Sequence, residues 1–189
     1  MPRKGKIVIY SIWVVIIVVL AILYFLSPET FSPKSITEFV KTFNSEMLWI
    51  YILLSLIRGF FLIPSTPFVL AGALLFPGRL LLILVISMIG IMLSATCIYY
   101  FSDFLGFSKR LDHRFSSKVN AWRSRFSSSK SVLFIAGWSL LPVVPTDFIC
   151  YAGGILKAPF KYIFTGVFIG ELILCSIYIY FGSNVLQLL

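Results

Sequence analysis

The chain has 189 residues, 59% hydrophobic and 12% charged, with a formal net charge of +9. An average soluble domain is about 45–50% apolar and about 25% charged, and a mean hydropathy of +0.99 implies more apolar surface than a water-soluble fold of this size can hide. A soluble enzyme, a disordered protein and a nucleic-acid module therefore fit poorly; the bilayer is the expected solvent, and the positive charge is first a topology signal.

Ile7 to Leu26 carries no charge and follows Arg3, Lys4 and Lys6. At about 1.5 Å per residue it matches a ~30 Å hydrocarbon core. A signal peptide is the rival reading, but Tyr24-Phe25-Leu26-Ser27-Pro28 is no small-x-small cleavage site, so an uncleaved anchor is expected. Ser35 to Glu46 reads as an amphipathic helix with Ile36, Phe39, Val40 and Phe43 on one face, opened by a capping box at Ser35-Ile36-Thr37-Glu38 and lying flat at the membrane surface. Met47 to Pro77 is apolar but broken by Pro64-Ser65-Thr66-Pro67, with Ala71-Gly72 after the break. Its arms, about 22 Å and 14 Å, are too short to span, so a re-entrant hairpin is expected, with Pro64, Pro67 and Gly72 as its structural residues.

Leu80 to Phe101 is a second uncharged span. The polar stretch Ser102 to Lys130 holds seven basic and two acidic residues. Leu111, Phe115, Val119, Trp122 and Phe126 form a helical stripe in it, flanked by Arg114, Lys118 and Arg125, which suits an anionic leaflet. Ser131 to Leu156 is apolar and broken again, by Pro142-Val143-Val144-Pro145, with Ala152-Gly153-Gly154 beyond. Pro142, Pro145 and Gly153 are its hairpin residues. Lys157 and Lys161 precede a last span, Tyr162 to Phe181. The order of amphipathic helix, broken hairpin, Ala-Gly and full span thus occurs twice, about 35–101 and onward from the basic segment at about 102–130 to about 181, after an N-terminal unit of 1–34. The expected architecture is an all-α polytopic membrane protein built on two inverted repeats. The positive-inside bias puts the N-terminus, the basic segment, Lys157 and Lys161 in the cytoplasm. One hairpin then enters from each face, as in transporters with mid-membrane sites.

Three formal charges lie inside the apolar segments: Arg58, Asp147 and Glu171. An Arg or Asp at a helix centre costs roughly 2.5 to 3.5 kcal/mol on insertion scales, so such residues face a bundle interior or a wet cavity. Arg58 stays charged and offers bidentate donors to a phosphate; Ser65 and Thr66 add hydroxyls at the first turn; Asp147 is the counter-charge of the empty state. A proton on Asp147 or Glu171 could couple movement to a proton gradient. Gly90-x-x-x-Ser94 and Gly166-x-x-x-Gly170 are close-approach motifs that serve either packing within the chain or a homodimer. Trp49, Tyr51 and Trp122 are read as interface anchors. Cys97, Cys150 and Cys175 form neither a disulfide framework nor a metal site, and His113 lies in the basic loop as a surface residue. Nucleotide-binding, zinc-protease and serine-hydrolase motifs are absent. No enzyme, cofactor, metal or nucleic acid is expected.

Arg58, the run Ile63 to Phe76 with its Pro64-Ser65-Thr66-Pro67, and Leu140-Leu141-Pro142-Val143-Val144-Pro145 with Tyr151-Ala152-Gly153-Gly154 resemble the DedA superfamily, and more narrowly its VTT-domain branch of SNARE-associated Golgi-like proteins, from about Ser35 to Phe181. The resemblance implies a multi-pass membrane protein with two oppositely oriented re-entrant hairpins and movement of lipid across the bilayer by flipping or scrambling, with an anionic phospholipid or undecaprenyl phosphate as partner; the compact size and the lack of an organelle signal point to a prokaryotic inner membrane. Many DedA-branch members carry an acidic residue just after the first proline turn, where this chain has Phe68 and Val69, and arginines near the second, which it lacks. Asp147 and Glu171 are the groups left for coupling, and passive scrambling is the alternative to it. Two further readings remain open: a proton-coupled carrier of a small solute, and a non-transporting membrane scaffold.

Overall fold

The computed structural model describes residues 11–182 apart from positions 14, 17, 21, 24, 25, 62, 105–119 and 142–145. Every regular element among the described residues is helical. The basic start of the N-terminal anchor, His113, Leu111, Phe115, Val119 and the pair Pro142 and Pro145 lie outside them. Within the anchor, the described part of 11–23 is helical and largely exposed. Trp13 meets Phe101 edge-on at 5.4 Å and stacks near Tyr151 at 6.0 Å.

Helix α1 (Pro33–Lys41) starts earlier than the sequence pattern suggests. Proline at the first helical position loses no hydrogen bond and presets φ, and Ser32 caps the end by accepting from the Ser35 amide at 3.1 Å. The Ser35 hydroxyl donates instead to the carbonyl of Glu29 at 2.6 Å, so the expected capping box is replaced. α1 also ends before Glu46, at a turn where Asn44 takes a left-handed φ of 43°, a conformation asparagine tolerates. Ile36, Thr37 and Val40 are buried, whereas Phe39 and Phe43 contact each other at 5.3 Å on the exposed side. The expected four-residue apolar face is therefore split between protein and surroundings.

α2 (Met47–Ile57) tightens into a 3-10 turn at Arg58–Phe61. α3 (Thr66–Leu75) begins with Pro67 in its first turn. α4 (Leu80–Phe104) follows and has 25 residues. Residues 120–126 are helical and lead to α5 (Ser131–Ser139), α6 (Asp147–Ile155) and α7 (Phe160–Ile177), which runs into a π turn at Tyr178–Gly182. Proline lacks an N–H and clashes with the preceding turn, so the α2–α3 break falls at Pro64. Among the described residues, two stretches are long and apolar enough to cross a membrane, Pro77–Ser102 and Phe160–Gly182. The arms α2, α3, α5 and α6 have 11, 10, 9 and 9 residues. At about 1.5 Å per residue none crosses a ~30 Å core.

Small residues fix how these helices meet. Tyr51 hydrogen-bonds with Ser87 at 3.2 Å, a Cβ on Gly90 would lie 3.0 Å from the Ser55 carbonyl oxygen, and Gly59 abuts the Ser94 hydroxyl. These contacts advance together, so α2 runs parallel to α4. In the same way, a Cβ on Gly166 would lie 2.6 Å from Ile135 Cβ and one on Gly170 2.5 Å from the Ala136 carbonyl oxygen, which makes α5 parallel to α7. α6 follows α4, with Asp147 at Ser94 and Gly154 against Tyr99 and Ser102. It runs opposite to α7, where Gly153 sits on Ile163. Both small-x-x-x-small motifs thus make contacts inside the chain, and Gly72 and Gly153 are close-approach positions. Tyr51 is corrected: it is fully buried over Gly72, not an interface anchor, because Gly72 leaves room for its ring and Ser87 satisfies its hydroxyl. Trp49 and Trp122 are exposed.

Candidate functional site

The break in each apolar segment brings a charge to the middle of a long helix. Arg58 stands where α2 tightens into its 3-10 turn, and Gly59 beside it lets that turn press against Ser94, near the centre of α4. Asp147 is the first residue of α6, and Ser94 donates to its Oδ1 at 3.5 Å. Glu171 lies midway along α7 and accepts a short hydrogen bond from the Thr146 hydroxyl at Oε1 and a longer one, 3.8 Å, from Cys175 Sγ at Oε2. Arg58, Asp147 and Glu171 are all buried, at 5%, 8% and 1% exposure. Arg58 acts electrostatically on both carboxylates, and Glu171 acts on Asp147.

Among the described residues the guanidinium makes no ion pair. Its side-chain hydrogen bond goes to the carbonyl of Ile63 at 3.2 Å, and among the described residues neither carboxylate lies within 4 Å of it. Ile63 immediately precedes Pro64, so Arg58 is tethered to the first proline turn. This buried cluster holds one cation and two carboxylates, with hydroxyls from Ser94 and Thr146 and the thiols of Cys150 and Cys175 near the acids. Such a set can hold an anion on the guanidinium, exchange protons at the carboxylates, or both. Among the described residues no group of three or more His, Cys, Asp and Glu is placed to hold a metal.

The three charges singled out in the sequence are therefore all buried and act on one another electrostatically without direct contact among the described residues. Ser65 and Thr66 are half-buried at the start of α3, and neither side chain is hydrogen-bonded to these charges among the described residues. Ser94 and Thr146 are site residues that sequence reasoning missed. Ser94 entered only as a packing position, since a lone hydroxyl in an apolar run carries no distinguishing signal.

A family model of the VTT domain matches residues 63–184. The match begins later than the Ser35 expected and leaves Arg58 just outside, while it includes the first proline turn, Asp147 and Glu171. No curated protein and no solved structure matches the chain significantly. Since the matched region is most of the 189 residues and contains both long apolar helices, the chain belongs to the VTT-domain family of membrane proteins, the DedA and SNARE-associated Golgi protein family.

Proposed function

We propose that the protein carries an anionic lipid headgroup across the bilayer, with Arg58 holding the phosphate and Asp147 and Glu171 answering it with protons. The observation that carries this reading is a buried guanidinium that makes no direct ion pair among the described residues and acts electrostatically on two buried carboxylates, Asp147 beside Ser94 of α4 and Glu171 midway along α7. A phosphate at that depth needs a compensating cation, and the lipid's tails can stay in hydrocarbon while the headgroup passes. The family membership supports a membrane role; the word lipid rests on the family resemblance, and the anion rests on the chemistry of Arg58.

The packing supports an inverted repeat around this pocket. Tyr51 at the start of α2 lies against Gly72 and Phe76 at the end of α3, as a chain that turns back would require. In the second half, α5 is parallel to α7 and α6 antiparallel to it, which again makes a returning pair. Each first arm lies along the long helix of its own half, and each second arm touches the other half: α6 on α4, and α3 on the π turn after α7. The proposed orientation keeps the N-terminus and the basic segment cytoplasmic.

Two carboxylates against one guanidinium also favour a second reading, a proton-coupled carrier of a small solute. Reconstitution into vesicles separates the two. Headgroup-labelled anionic phospholipid is expected to gain exposure to an external quencher, and Arg58→Ala is expected to slow this at least about tenfold, the loss of one charge-assisted contact of about 1.5–3 kcal/mol. Solute-driven proton flux without lipid exposure would select the carrier instead. Wild-type lipid rates in both Arg58→Ala and Asp147→Asn, at normal expression, would remove the site.

A further inference from the structure

A second feature lies on the outside of the same half of the molecule. The helical residues 120–126 are pinned beneath α6 by Arg123, whose Nε donates to the carbonyl of Leu156 at 2.8 Å. Between this segment, α5 and α6 runs an apolar groove of about 460 Å³, walled by Phe134 and Trp138 on α5 and by Phe148, Ile149 and Ala152 on α6. It continues into a second recess of about 440 Å³ through Trp122, Phe126 and Phe134, which line both. Arg125 and Lys130 stand at that second recess, both exposed. The Arg125 guanidinium lies over the Trp122 ring at 5.3 Å, which restricts where its charge can sit. Among the described residues no acidic side chain lines either recess. The two volumes fall within the range of small-molecule sites.

We propose that this groove docks one phosphate-bearing membrane lipid, with the headgroup on Arg125 and Lys130 and a hydrocarbon chain between α5 and α6. The occupant follows from the charge pattern. Among the described residues one end offers two cations and no acid, the other is aromatic and aliphatic, and an anionic amphiphile matches both along one line. A free phosphate uses only the rim. A zwitterionic lipid brings a second cation against Arg125 and Lys130. The far wall includes Phe148, the residue after Asp147, so a lipid seated here waits beside the arm that carries one carboxylate of the buried pocket. As a loading position the groove rests on the transport reading; as a lipid site it stands without it.

The test uses the full chain purified in detergent with Trp13→Phe and Trp49→Phe, so that Trp122 and Trp138, both groove residues, report. Phosphatidylglycerol and phosphatidylcholine brominated in their acyl chains are titrated as quenchers. A basic side chain near a membrane surface favours an anionic lipid by about fivefold, so the phosphatidylglycerol midpoint is expected at least about fivefold below that of phosphatidylcholine. Arg125→Glu with Lys130→Glu, both on the surface, should abolish the preference, and Ala152→Phe should reduce quenching by both lipids by filling the groove. Equal midpoints in the parent, a preference that survives the double charge reversal, or displacement of brominated phosphatidylglycerol by millimolar inorganic phosphate overturns the proposal. Transport is measured in parallel. Groove quenching as expected with no lipid exposure by the parent chain in vesicles removes the transport reading and leaves the groove; lost quenching preference with Arg58-dependent transport does the reverse.

Discussion

Arg58 is buried in a segment that the surrounding sequence marks as hydrocarbon-soluble, and its charge cannot be removed by deprotonation. Asp147 and Glu171 offset it at a distance while Ile63 takes one of its donors. Removing the guanidinium leaves two acids uncompensated, which costs about 3 kcal/mol by the usual penalty for an unpaired buried charge. Arg58→Ala should therefore melt well below wild type in detergent, and adding Asp147→Asn should recover part of the loss; a double variant less stable than Arg58→Ala would mean that the charges are not coupled. The same charge count sets a pH dependence. With both carboxylates ionised the pocket carries a net negative charge and repels an anion; one proton makes it neutral and two make it positive. Transport of an anionic headgroup should rise as the pH falls, and Glu171→Gln with Asp147→Asn should flatten the profile, which vesicle assays across pH read directly. The sequence exposed these three residues because a formal charge in an apolar run is conspicuous. Ser94 and Thr146 stayed hidden because a hydroxyl can satisfy itself on the helix backbone and so costs little wherever it falls.

At the scale of helices, glycine position separates structural from permissive sites. Gly170 abuts the backbone of Ala136 and the Cβ of Ser139, both within 2.6 Å of where a methyl would stand. Gly137, in α5, has nothing within 4 Å. Gly170→Ala should cost about 1–3 kcal/mol by overpacking α5 against α7, while Gly137→Ala should be neutral or stabilise by up to about 1 kcal/mol through helix propensity. Thermal melting of the two variants in one detergent checks the contrast; equal melting temperatures would place the α5–α7 contact elsewhere. The long helices and the first proline break were legible because length and proline act locally. The start of α1 was misread because Ser32-Pro33 competes with the Ser35 capping box, and proline at the first position decides the competition. The burial of Tyr51 was not legible either: its partner Gly72 lies in α3, beyond the proline turn, and Ser87 lies in α4, and no local pattern in α2 announces either.

Across the whole molecule, the parallel and antiparallel contacts give a consistent direction to every arm. α2 follows α4 from Tyr51 at Ser87 to Gly59 at Ser94, α6 follows α4 from Asp147 at Ser94 to Gly154 at Tyr99, and α6 opposes α7. The two long helices are thus antiparallel, and the arms meet them at mid-length, where Arg58, Asp147 and Glu171 lie. If α4 and α7 cross the membrane, the chain before α2 and after α3 belongs on one face, and the chain before α5 and after α6 on the other. Single cysteines at Glu46 and Gly78, and at Lys130 and Lys161, sample these four places, all exposed. In a background with Cys97, Cys150 and Cys175 replaced by alanine, a membrane-impermeant maleimide on intact cells should label the first pair together and leave the second pair unlabelled until the membrane is opened. A split within either pair would mean that the broken segment crosses the bilayer. Arg58 and Asp147 would then lie on single-pass helices, and α2 could not run parallel to α4 with Tyr51 on Gly72, because a crossing segment puts the start of α2 and the end of α3 on opposite faces.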